Sequence, residues 1–166
     1  MRIFVTSDHH FGQENFHYYS QHYDDTMRPE FKNATDWANN YIEVHNNIVP
    51  ENESIVYFLG DIAKNITWAE RIFTQLNGEQ KVLVMGNHDN KYPTFRLQNL
   101  FDKIMGCAVL RNSKSKYILT HVPVHPAELR DCVNIHGHTH KNTIQDSRYV
   151  NACVDYLKEP MELEVI

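Results

Sequence analysis

Short apolar runs rich in β-branched residues recur along the chain, and most of them end in glycine, asparagine, aspartate or histidine. Such runs are too short for helices and are bounded by turn formers, which is how strands buried on both faces read. They predict strands at Arg2–Thr6, Ser54–Leu59, Lys81–Met85, Ala108–Leu110, Lys116–Thr120, Asn134–His136, Tyr149–Val154 and Leu163–Ile166. Between the first strands the period changes. Trp37, Tyr41, Val44 and Ile48 recur at helical spacing, with capping residues at Asn33 to Thr35 and a stop at Pro50. A second helix is marked by the capping box Thr67-Trp68-Ala69-Glu70 and by Asn77-Gly78 as its stop. Strands alternating with helices in the first half, then mostly strands, predict an α/β sandwich with helices outside.

Composition narrows the class. With 166 residues, 42% hydrophobic and 22% charged, the chain reads as one ordinary globular domain over residues 1–166. A net charge of -5 argues against a strong electrostatic grip on duplex nucleic acid or on an anionic membrane. Three scattered cysteines without a CxxC pair suit reduced thiols, and no apolar run approaches the roughly 18 residues of a membrane span. The expectation is a cytoplasmic protein. Histidine is the outlier, with 11 residues, most of them in short segments that also hold aspartate or asparagine beside glycine.

Those segments follow predicted strands. The first strand leads into Ser7-Asp8-His9-His10, the second into Gly60-Asp61 and the third into Gly86-Asn87-His88-Asp89. Two later strands lead into His121 and Gly137-His138-Thr139-His140. In α/β sheets ligands bind at the edge where the carboxyl ends of strands converge, so five polar groups delivered there make a site. Asp8, His10, Asp61, Asn87, His121, His138 and His140 form a set of carboxylate, amide and imidazole donors without sulfur. That set suits Mn, Fe, Zn or Ni, and its size suits two ions sharing one carboxylate, the arrangement of hydrolytic phosphoryl chemistry. His138 and His140, two apart on an extended segment, point to one face.

Taken together, these motifs resemble the calcineurin-like metallophosphoesterase superfamily, whose pattern D-x-H, G-D, G-N-H-D, H, G-H-x-H is met here in order by the segments just given. Tyr149 to Asp155, followed by Pro160, is similar to the closing segment of small bacterial and phage members, so the likeness runs along essentially the whole chain. The resemblance implies a four-layer α-β-β-α sandwich with two mixed β-sheets and the metal site at the carboxyl ends of strands. It also implies two divalent ions, with Mn the first choice: Asp8, His10 and His140 at one, Asn87, His121 and His138 at the other, and Asp61 bridging. The reaction implied is hydrolysis of a phosphodiester or phosphomonoester, through in-line attack by a hydroxide held between the ions. His88 would be the general acid and Asp89 the residue that orients its imidazole, with Asn87 and His88 contacting substrate.

Other residues have two readings each. A turn aspartate bonding its own backbone is the ordinary alternative for Asp89. Arg28, His125 and His9 are further candidates for substrate contact; against this, Arg28 reads as a surface arginine, His125 as solvent-facing, and His9 as turned away from the metals. Relatives often have histidine where Gln13 stands. The aromatic stretch Phe16, His17, Tyr18, Tyr19, His22 and Tyr23 could stack a nucleobase or pack a loop against the core. Asp61 is followed by Ile62-Ala63-Lys64-Asn65, without the arginine of the protein serine/threonine phosphatases, so a small nucleotide-like ester fits better than a phosphoprotein. The other class of function is a catalytically silent scaffold that binds a protein partner, as the phosphoesterase-like subunit of the retromer coat does; a retained His88 speaks against it.

Overall fold

The computed structural model describes residues 1–13, 28 and 30–164. The aromatic stretch at 16–23 lies outside the described residues. The elements in chain order are β1 (Arg2–Thr6), α1 (Ala34–Ile48), β2 (Ser54–Phe58), α2 (Ile66–Phe73), β3 (Gln80–Val84), α3 (Thr94–Leu97), β4 (Lys103–Met105), β5 (Ala108–Arg111), β6 (Lys116–Thr120), α4 (Pro126–Leu129), β7 (Cys132–His136), β8 (Tyr149–Asn151), α5 (Val154–Leu157) and β9 (Met161–Leu163).

They form two mixed sheets. The first has the order β4-β3-β2-β1-β9 and the second β5-β6-β7-β8. In the first sheet β1, β2, β3 and β4 run parallel and β9 antiparallel. In the second, β6, β7 and β8 run parallel and β5 antiparallel. Strand alternation explains the layering. In β1, Phe4 belongs to the cluster shared with Trp37, Tyr41, Ile72 and Phe73 of the helices. Its neighbour Val5 belongs to the cluster shared with Leu119 and Ile135 of the second sheet. With both faces covered, no position in the middle of β1 can be polar, which is why it reads as a continuous apolar run.

Several boundaries differ from the sequence expectation, each for a local reason. α2 starts at Ile66, because Asn65 and not Thr67 caps it, accepting from the backbone N–H of Trp68 at 3.0 Å. Glu70, read as the partner in a capping box, instead takes Arg96. The expected strand Tyr149–Val154 stops at Asn151, whose side chain accepts the N–H of Cys153 at 2.9 Å and turns the chain into α5. The last strand among the described residues lies at Met161–Leu163, starting before the expected Leu163–Ile166, and pairs with β1; residues 165 and 166 of that expectation lie outside the described residues. β4 was not expected from the sequence: three residues carry too little period to be read. α1 agrees with expectation, its Asn33 cap accepting from Thr35 and Asp36.

Past the strand ends the backbone stays tied. Leu59 donates to Thr6, Asp8 to Gly60 and His10 to Asp61, at 2.8, 3.1 and 3.0 Å. Gly137 donates to His121 at 2.9 Å in the second sheet, and Val154 to Ser7 at 3.0 Å across from one sheet to the other. The loops that carry the candidate residues are therefore extensions of the ladders.

Candidate metal centre

The carboxyl ends of β1, β2 and β3 deliver Asp8 and His10, Asp61, and Asn87 and His88; those of β6 and β7 deliver His121, and His138 and His140. Two trios form: Asp8, His10 and His140, and Asp61, His121 and His138, each with its donor atoms within 4.8 Å of one another. The trios adjoin. Asp61 Oδ2 lies 3.6 Å from His10 Nε2 and 3.4 Å from His121 Nε2, so one carboxylate oxygen faces both. Asn87 Oδ1 is 2.8 Å from His121 Nε2, within reach of the second trio.

The surroundings fix each donor. Asp8 Oδ2 accepts from Ser7 Oγ at 2.5 Å, from the His138 N–H at 2.8 Å and from Cys153 Sγ at 3.2 Å. Asp8 Oδ1 is left buried with no hydrogen-bond partner among the described residues, and so is His10 Nε2, 3.9 Å away. An unpaired buried carboxylate oxygen facing an unpaired imidazole nitrogen is costly unless something sits between them. Two donors bonded to one tetrahedral ion at about 2.1 Å stand roughly 3.4 Å apart, close to these spacings, so the residues fit a cation.

The imidazole tautomers follow from their other partners. His140 Nδ1 lies 2.7 Å from Asp155 Oδ2, and His121 Nδ1 lies 2.7 Å from the Leu59 carbonyl oxygen. Both partners only accept, so Nδ1 carries a proton in each ring. The Nε2 of His140 is thereby left to turn its lone pair into the site, whereas His121 Nε2 also faces the acceptors Asn87 Oδ1 and Asp61 Oδ2 and gives up its own proton when a cation binds. Charge follows geometry. Burial favours the neutral form of His121, but the hydrogen bond to Asp61 and the carboxylates of Asp8 and Asp61 outweigh it and raise its pKa to about 9. Burial likewise opposes the Asp61 charge, and the His121 and His10 imidazoles with the His88 N–H overcome it, holding the carboxyl at about 2. Burial lowers His10 to about 4, so it presents a neutral ring. A site whose carboxylates stay ionised and whose rings face inward is preorganised for positive charge.

Backbone conformation and glycines complete the design. Asp8, His10, Asp61, His138 and His140 all have positive φ, between 47° and 68°. A Cβ at Gly86 would overlap Asp61, and one at Gly137 would overlap Ser7 and Asp8, so only glycine allows the backbone this close to the carboxylates.

His88 stands at the mouth, its side chain 45% exposed, with Nε2 3.8 Å from Asp61 Oδ2 and its backbone N–H on Asp61 Oδ1 at 2.9 Å. Asp89 is placed otherwise than expected. It is fully buried, and its carboxylate accepts the N–H groups of Asp61 and Gly86 at 2.8 Å and of Ile62 at 3.1 Å. Both oxygens are thus committed to backbone, which leaves Asp89 holding the β2 and β3 loops together rather than orienting the His88 ring. Arg28 and His9, candidates for substrate contact, are both buried away from solvent. Arg28 is paired with Asp155, and His9 lies among Phe11, Tyr41 and Phe58, bonded to Thr6 Oγ1. His125 is exposed and caps α4 through the Ala127 N–H. Ser7, Cys153 and Asp155 were not singled out from the sequence, since nothing in a lone serine, cysteine or aspartate tells that it will bond a ligand from across the molecule.

The family model for calcineurin-like phosphoesterase matches residues 1–159. The chain belongs to the calcineurin-like phosphoesterase family. Among solved structures, a protein of unknown function from Aquifex aeolicus is 24% identical, with 97% of this chain and 95% of that one covered and a TM-score of 0.68. A novel archaeal phosphodiesterase is 20% identical, with 98% and 99% covered and a TM-score of 0.54. Both are likenesses of fold. No curated protein matches the sequence. Family membership together with the two trios supports a divalent-metal-dependent phosphoesterase. Among the described residues no helix is long and apolar enough to cross a membrane.

Proposed function

We propose that the protein hydrolyses a phosphodiester or phosphomonoester of a small nucleotide-like compound in the cytoplasm, using two divalent ions, Mn in the first instance. The observation that supports this best is the pair of trios meeting at Asp61 Oδ2, with the half-exposed His88 3.8 Å from that same oxygen. Asp8, His10 and His140 would hold one ion and Asn87, His121 and His138 the other, Asp61 being shared. When bound, such ions supply Lewis acidity toward phosphoryl oxygens and a nucleophile at neutral pH.

The chain's own groups supply the rest. Asn87 and His88 stand exposed at the mouth, where they would meet the ester. His88 donates a proton to the leaving oxygen, and its backbone bond to Asp61 keeps the ring over the trios. Asp89 serves this arrangement indirectly, by fixing the turn on which His88 stands.

The test is hydrolysis of bis-p-nitrophenyl phosphate and p-nitrophenyl phosphate by metal-stripped protein, with Mn, Ni, Zn or Mg restored singly. Turnover should require metal and fall to background in Asp61→Ala. His88→Ala should lose about 10²- to 10⁴-fold on an ester with a poor alkoxide leaving group and less on the p-nitrophenyl esters, because only the former needs its proton. Metal binding with no turnover of any ester would refute the hydrolase reading and turn attention to protein partners.

A further inference from the structure

One buried side chain, Arg28, is tied to the first trio from two sides, through the backbone at Asp8 and His9 and through Asp155. Arg28 donates from Nη2 to the Asp8 carbonyl at 2.8 Å and from Nη1 to the His9 carbonyl at 2.7 Å, so it grips the backbone that carries both Asp8 and His10. From Nε and Nη2 it donates to Asp155 Oδ1 and Oδ2 at 2.7 and 3.2 Å. Asp155 Oδ2 in turn accepts from His140 Nδ1 at 2.7 Å. The guanidinium stacks on Trp37, 4.1 Å from the ring, and Trp37 Nε1 donates to the same His9 carbonyl at 3.1 Å. The Arg28 and Asp155 side chains are 1% and 0% exposed, so this pair is kept in the fold although two charges had to leave water. The second trio is held differently: His121 rests on the Leu59 carbonyl, Asp61 Oδ1 accepts the His88 N–H, and His138 meets the first trio only through its backbone N–H on Asp8 Oδ2.

We infer that Arg28 and Asp155 are positioning residues that build the first metal site and leave the second largely independent of them. The inference rests on reading the trios as metal sites. A planar fork is required here, because two backbone carbonyls and two carboxylate oxygens are bonded from one side chain, and an ammonium cannot span them. Asp155 acts through His140, fixing its tautomer and ring plane; Arg28 acts through both Asp155 and the left-handed turn at Asp8 to His10, where φ is 61° and 47°.

The experiment is a calorimetric titration of the metal-stripped full chain with Mn²⁺, repeated with Co²⁺ to follow ligand-field absorption. The wild type should take two ions. Asp155→Asn and Arg28→Lys should each weaken one of them by about 10- to 100-fold and leave the other within a factor of a few. In a His140→Ala background Asp155→Asn should add little, whereas Arg28→Lys should still weaken the site through its hold on Asp8. Because Asp155→Asn leaves a buried cation uncompensated, Arg28→Met/Asp155→Leu, which replaces the pair by apolar groups of similar bulk, serves as the folded control, checked by circular dichroism. It should melt cooperatively and still bind one ion tightly. Two unchanged sites in the variants would overturn the inference alone, as would equal weakening of both in the folded control. A wild type that binds no metal would overturn the reading of the trios and the inference with it.

Discussion

At the scale of single residues, the site is built from backbone conformations that most side chains avoid. Five candidate ligands occupy the left-handed region, which costs an L-residue roughly 1–2 kcal/mol where no local bond compensates. This gives a comparison free of packing at the exposed His138: without metal, His138→Gly should be about 1 kcal/mol more stable than His138→Ala, measured by urea unfolding in a chelator. Equal stabilities would show that the conformation is not a strain. Asp89 offers the opposite case. Removing its carboxylate strips three buried N–H groups of their acceptor, so Asp89→Ala should lose at least about 2 kcal/mol, with the pH dependence of turnover keeping its shape. A shifted acid–base profile would restore the orienting role that the sequence suggested. The ligand candidates were legible because a strand end followed by an acidic or imidazole group is a local pattern. Arg28 and Asp155 were not, because they stand 127 positions apart and their meaning exists only once the chain is folded.

At the scale of elements, α1 couples a cap that the sequence announces to a buried group that it does not explain. Asn33 caps the helix, and three turns on, His45 faces the core, stacked on Phe58 and bonded through Nε2 to the Asn77 carbonyl. Its Nδ1 is buried without a partner, and burial lowers its pKa to about 4. A histidine depressed on folding contributes stability that is complete above its unfolded value of about 6.5 and is lost as pH falls toward 4. Between pH 7 and pH 5 this group alone should cost about 2 kcal/mol, and His45→Gln should flatten that part of the stability curve, read from denaturant midpoints. An unchanged slope would move the effect to other histidines. The same elements show where pattern reading stops. β1 and β6 matched expectation to the residue, since β-branched runs between turn formers admit one reading. β4 and α5 are three and four residues long, shorter than any period, and depend on neighbours for their existence.

At the scale of the whole molecule, each trio draws on both sheets: Asp8 and His10 with His140, and Asp61 with His121 and His138. The inter-sheet cluster of Val5, Leu59, Val84, Leu119 and Ile135 joins the layers through apolar contact, which is non-directional. Metal should therefore stabilise the fold as well as equip it. Adding Mn²⁺ to stripped protein should raise Tm progressively with concentration, by RT ln(1 + [L]/Kd) per site, and chelation should reverse it. A Tm indifferent to metal would mean that the trios do not take it up. A cation seated among such donors is also a clasp between distant parts of the polymer. Asp8 and His140, donors of one trio, come from near opposite ends of the chain, and a covalent clasp closing about 100 residues is worth roughly 5 kcal/mol in the chain-entropy account. Because that contribution grows only with the logarithm of the enclosed length, the segments between the two ends could lengthen considerably without loosening the grip.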